Sequence, residues 1–132
     1  MVIVIPGNPP RKDDHWVPKV GAKRRPVMVI SKDGTAWRKA FRTAMREAME
    51  SQPIPTGPLF SVRIIMFVKN NRTLEDGTVM PYRDLDSAIS PVFDAMEWAG
   101  LVDNDIRIAH LHPPERHKDW HNPRTVVEVK TL

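Results

Sequence analysis

"LFSVRIIMFVK", residues 59–69, is the stretch on which the fold turns. Phe60, Val62, Ile64, Met66 and Val68 recur with a period of two, so they share one face of an extended strand. That face needs a cover, and the chain upstream supplies one. Trp37, Phe41, Ala44, Met45 and Ala48 recur at helical spacing, which predicts a helix with its apolar stripe on the sheet. Ser31 and Asp33 are both good residues to begin it, and "SQPIPTGP" (51–58) ends it. Further upstream, Val27–Ile30 and Val2–Ile5 read as short strands. The residues between them, "PGNPPRKDDHWVPKVGAKRRP", carry so many prolines and glycines that they read as one long basic loop at about 7–26.

Downstream, "NNRTLEDGTVMP" (70–81) is a polar excursion with a turn at Asp76-Gly77. Leu85, Ile89, Val92, Phe93, Met96 and Ala99 then give a second helical stripe, ending at Gly100. "IRIAHLH" (106–112) and "TVVEVKTL" (125–132) read as closing strands around a loop rich in proline and histidine, "PPERHKDWHNP". The expectation is a single small α+β domain over residues 1–132, with a mainly antiparallel or mixed sheet and two main helices.

Composition narrows the function classes. The formal charge is +4, and the cations crowd the first half of the chain, which suits a polyanionic partner. There is no cysteine, hence no disulfide framework and no thiolate metal site, in keeping with a reducing, cytoplasmic setting. No apolar run reaches the length of a membrane span, and "VIVIP" at the start reads as a strand and not as a signal peptide.

Against this basic background, "YRDLDSAISPVFDAMEWAGLVDND" (82–105) gathers Asp84, Asp86, Asp94, Glu97, Asp103 and Asp105. Asp84 and Asp86 share a direction if the chain is extended there. Converging carboxylates repel, and a divalent cation removes the conflict; oxygen-only donors suit Mg²⁺ or Mn²⁺. The plainer alternatives are that Asp86 caps the helix and that Asp103 makes an Asx turn. Asp94 and Glu97 read as the solvated face of that helix.

The same stretch resembles the signature of RusA-type Holliday junction resolvases, a D-x-D-N-x-x-K-P-x-x-D-A segment followed by a paired acidic turn. The likeness runs through Asp84, Leu85, Asp86, Pro91, Asp94, Ala95, Gly100 and Asp105, and extends to "PGNPPRK" and to the Trp37-Arg38 pair. It implies a RusA-like α+β fold, a homodimer, and a Mg²⁺-dependent endonuclease that cuts four-way DNA junctions, as found in bacteria and phages. It implies no membrane and no small-molecule substrate. By position it puts the metal ligands at Asp84, Asp86 and Asp105. Three positions depart from the signature. Ser87 replaces its asparagine, Asn104 replaces the first acid of the pair, and Ser90 stands where the family has a catalytic lysine. Either another cation serves, with Arg83, Lys69 and Arg107 as candidates, or the chain binds junctions with weak or lost cleavage.

For DNA contact the candidates are Arg11, Lys12, Lys23, Arg24 and Arg25 on the backbone, with Arg38 and Arg83 nearer the acids. Trp16 either stacks on a base or folds back on the core. Arg38, Arg42 and Arg46 fall on one helix face that is either solvated or turned to DNA. His110 and His112 share a strand face, and His117 and His121 have helical spacing, but a zinc site needs four closed ligands. They read as polar residues of a strand end and a loop.

Overall fold

The computed structural model describes residues 1–21, 25–81 and 84–132. At its centre is strand β4, Phe60–Val68, and the face predicted to be buried is buried throughout: Val62, Ile64 and Met66 have no solvent exposure. β9 (Arg124–Thr131) pairs antiparallel along one edge of β4, and β1 (Val2–Pro6) pairs antiparallel with β9. The other edge of β4 takes two short strands in succession, both parallel to it. β7 (Ile108–Leu111) lies beside Phe60–Val62, and β8 (Glu115–Lys118) lies beside Ile65–Val68. Pro113 and Pro114 fall between them. Proline has no N–H for the ladder, so what would be one edge strand is split in two. The sheet is therefore mixed, and the fold is a small α+β domain with two main helices.

Helix α2, Lys32–Met49, begins where Ser31 accepts a hydrogen bond from the Gly34 N–H at 2.9 Å. Its predicted stripe is buried in full. Helix α3, Ile89–Trp98, follows a 3₁₀ turn at Asp86–Ala88. Pro91 sits in the first turn of α3, where a missing N–H costs no hydrogen bond, and Gly100 ends the helix with φ +80°. Val92 and Met96 are fully buried. The buried indole N–H of Trp37 donates to the carbonyl of Pro91 at 3.1 Å and locks the two helices together. No helix among the described residues is long and apolar enough to cross a membrane.

Two segments read as loops are not loops. The basic stretch contains a one-turn helix, α1 (Lys12–His15), and a strand, β2 (Trp16–Val20), which forms an antiparallel hairpin with β3 (Pro26–Ile30). Pro18 escapes the usual exclusion from strands because this hairpin is a separate two-stranded sheet made only of edges. The anchor of the segment is His15, which is completely buried. The Pro/His-rich loop likewise contains β8. The excursion after β4 is a small hairpin of β5 (Asn71–Thr73) and β6 (Val79–Pro81), turned at Gly77 with φ +87°.

Candidate functional site

The start of α3 and the turn after it line one open groove of about 530 Å³. Asp86 enters it from the 3₁₀ turn that precedes α3, and Asp105 from the first residue of a second 3₁₀ turn, Asp105–Arg107. Ser90 lies between them on α3, and Lys12 and Trp16 reach the groove from α1 and the head of β2. Three chain segments distant in sequence thus meet here, and Asp86 and Ser90 share a wall with Asp105.

Local chemistry sets the turns. The Ser87 hydroxyl donates to the carbonyl of Asp84 at 2.7 Å, which closes the chain around the D-x-D segment. Asn104 caps the second turn by accepting from the Ile106 N–H at 2.9 Å. The Asx turn therefore belongs to Asn104. Asp103 instead takes the Arg107 guanidinium, whose hydrogen bond holds its carboxyl below the ordinary aspartate range. Arg107 also donates to the carbonyl of Pro58 at 3.3 Å. Neither Asp86 nor Asp105 forms such a pair: no described residue is hydrogen-bonded or ion-paired to either carboxylate.

Asp84 lines a different cavity, of about 190 Å³, together with Arg11, Arg72 and Arg116. The D-x-D segment separates the two: Asp86 lines the groove and Asp84 the arginine-rich cavity. Among the described residues, no three His, Asp or Glu side chains are grouped closely enough to hold a metal ion alone. Mg²⁺ keeps several waters and is commonly bound through one or two carboxylates. The unpaired oxygen donors of Asp86 and Asp105 fit that chemistry.

Asp94 corrects its sequence reading. It is not a solvated helix residue. Arg38 grips it side-on, Nε donating to Oδ2 at 2.7 Å and Nη2 to Oδ1 at 2.8 Å. His15 Nε2 adds a third contact to Oδ2 at 2.8 Å. Burial works to raise this carboxyl, but the hydrogen bonds from Arg38 and His15 outweigh it and hold the group below the ordinary aspartate value. The network ties α1 and α2 to α3 beneath the groove. His15 Nδ1 is buried with no hydrogen-bond partner among the described residues. Trp16 stands edge-on to His15, and the Arg38 guanidinium lies 5.4 Å from its ring. Arg42 lies 4.4 Å above the ring of Trp98, so the predicted basic face of α2 is partly roofed by an aromatic residue.

Other predicted residues lie elsewhere. Arg25 is exposed at the end of the β2–β3 hairpin, and Lys69 is exposed at the end of β4. Lys23, Arg24 and Arg83 lie outside the described residues. The rings of His110, on β7, and His112, just after it, lie 4.5 Å apart and tilted, with His112 Nε2 at 3.2 Å from Ser61 Oγ. His117 packs on Phe67. Sequence reasoning missed Arg72, Arg116 and the partnership of His15 with Asp94. Asp94 did carry a signal, since the family signature includes an aspartate at that place.

A family model described as Endodeoxyribonuclease RusA matches residues 6–130. A comparison with curated proteins found no match.

Proposed function

The chain belongs to the RusA endodeoxyribonuclease family, and on that premise we propose that it is a metal-dependent endonuclease acting on four-way DNA junctions. The observation that carries this reading is that Asp86 and Asp105 line one groove and neither carboxylate has a hydrogen-bond or ion-pair partner among the described residues. Asp86 and Asp105 would hold Mg²⁺ or Mn²⁺, with water completing the shell, while Asp84 lies in the adjoining cavity. When bound, the ion supplies the Lewis acidity that activates water and offsets charge on the phosphate.

The chain's own residues supply the rest. Ser90 offers no positive charge, and Arg107 is held by Asp103. Lys12 lines the same groove. Its Nζ donates to a non-bridging oxygen of the scissile phosphate and offsets the charge that develops there, the task the family gives to its lysine. The Asp94–His15 bond orients Lys12, because Lys12 and His15 both belong to the single turn of α1. Trp16 offers an aromatic face at the groove for an unstacked base at the junction centre. Arg11, Arg25 and the neighbouring Lys23 and Arg24 hold backbone phosphates. A homodimer with two-fold symmetry supplies two matched cuts on a junction of the same symmetry.

Ser90 favours one second reading: a junction-binding protein that has lost cleavage. A synthetic four-way junction, compared with linear duplex in Mg²⁺ and Mn²⁺, separates the two. The enzyme gives paired nicks in the junction, and Asp86→Asn abolishes them while binding persists. Lys12→Ala lowers the cleavage rate by about 10²-fold, and Ser90→Lys in that background restores it. Tight junction binding with no nicks in either ion favours the second reading. Equal, weak binding to every DNA form refutes both.

A further inference from the structure

Three guanidiniums from three separate parts of the chain meet in the cavity beside Asp84. Arg11 comes from the residue before α1, Arg72 from β5, and Arg116 from β8. The β5–β6 hairpin forms one wall. In its register Arg72 faces Met80, and Arg116 Nη2 contacts the Met80 sulfur at 3.9 Å. Leu74, Met80 and Pro81 supply the apolar part of the lining, and the three arginines the basic part. Asp84 is the one carboxylate lining the cavity among the described residues. The three arginines outnumber Asp84 in the lining, and an anion of matching shape offsets the excess positive charge. A guanidinium has five N–H donors in a planar fork, so a contact made by one edge leaves another for a ligand. That fork matches the tetrahedral oxygens of a phosphate.

Position decides which phosphate. Arg11 lines this cavity and Lys12, the next residue, lines the groove that holds Asp86 and Asp105. Asp84 and Asp86 repeat the arrangement from the other side, one in each. Residues adjacent or nearly adjacent in sequence thus border both spaces, which makes the arginine cavity the neighbour of the groove. Resting on the nuclease reading above, we propose that Arg11, Arg72 and Arg116 form a clamp for one backbone phosphodiester of the substrate, next to the one that is cut. The β5–β6 hairpin and the strand after the double proline exist in part to bring Arg72 and Arg116 to that phosphate.

The test is the salt dependence of junction binding, measured in Ca²⁺ to prevent cleavage. Each phosphate neutralised contributes about 0.9 to the slope of log K against log salt. A clamp on a single phosphate predicts that the double variant Arg72→Gln/Arg116→Gln loses about one unit of slope, and not two, with about tenfold weaker binding. Arg72→Lys/Arg116→Lys keeps the slope and binds at an intermediate level, because it retains charge and loses the fork. Lys130→Gln, exposed near the end of β9, serves as the charge control and keeps the wild-type slope. Thermal melts establish that every variant is folded. A folded double variant with unchanged slope, while the wild type binds junctions, refutes the clamp alone. Tight saturation of the cavity by inorganic phosphate, with that unchanged slope, assigns it to free phosphate and overturns the proposal. A wild type with no salt-dependent junction binding refutes the function reading and the clamp together.

Discussion

Replacing Asp94 by alanine removes one acceptor from three donors at once. Two bonds come from Arg38 at 2.7 and 2.8 Å and one from His15 at 2.8 Å. The side chains of Asp94 and Arg38 retain 19% and 16% of their exposure, and that of His15 none. Breaking a fully buried pair costs about 3–5 kcal/mol. Partial access of water to Asp94 and Arg38 lowers that, so about 3 kcal/mol is expected. For a domain of this length each kcal/mol moves Tm by roughly 3–4 °C, which puts the fall near 10 °C. The pH dependence carries a sign. The folded carboxyl titrates below its unfolded value of about 3.9. Its contribution is therefore complete above about pH 4 and is lost as pH falls through the lower folded value. Thermal melts of the wild type and Asp94→Asn between pH 2 and 7 should show a gap that is constant above pH 5 and closes in acid. A gap that stays open at pH 2, or an Asp94→Ala variant within 2 °C of the wild type, refutes the assignment of Asp94 as the tie between the helices.

Three further outcomes follow from the packing. A Cβ at Gly34 would lie 2.7 Å from the His15 carbonyl oxygen and 2.9 Å from its Nδ1, so Gly34→Ala lowers Tm despite alanine's better helix propensity, and an unchanged melt would show that α1 can shift freely. Buried Thr125 donates to the Gly7 carbonyl at 2.9 Å, so Thr125→Val, nearly the same shape, costs about 1–2 kcal/mol in urea unfolding. Arg107→Ala leaves urea stability essentially unchanged, because the Asp103–Arg107 pair lies in solvent; a clear loss would mean that the Pro58 contact holds the turn.

The sheet's central strand and both main helices are legible because each has its own period: the alternation at Phe60–Val68, and the stripes from Trp37 to Ala48 and from Val92 to Met96. What could not be read has no period. α1 is a single turn held by His15, and β2 contains Pro18, so local rules point to a loop while a tertiary contact decides. β8 follows two prolines and owes its strand conformation to pairing with Ile65–Val68. Asp94 looked solvated because the outward face of α3 is polar. The cover comes from Arg38 and His15, far away in sequence. The D-x-D spacing marked Asp86, but its approach to Asp105 depends on the parallel run of β7 beside β4, which no local pattern encodes. Arg72 and Arg116 sit in segments that read as polar connections, and only the fold brings them to Asp84.

The double proline between β7 and β8 has a consequence for the protein among its own copies. An open sheet edge offers unsatisfied N–H and C=O groups to any extended chain, and that is how sheets aggregate. Here the edge is cut into two four-residue pieces; of the three residues between them, Pro113 and Pro114 have no N–H and the His112 N–H is already given to the Val62 carbonyl. A foreign strand laid along this edge would lose its register at the middle. The strand that carries Arg116 to the cavity is thus also one half of an edge that offers a second copy no continuous ladder.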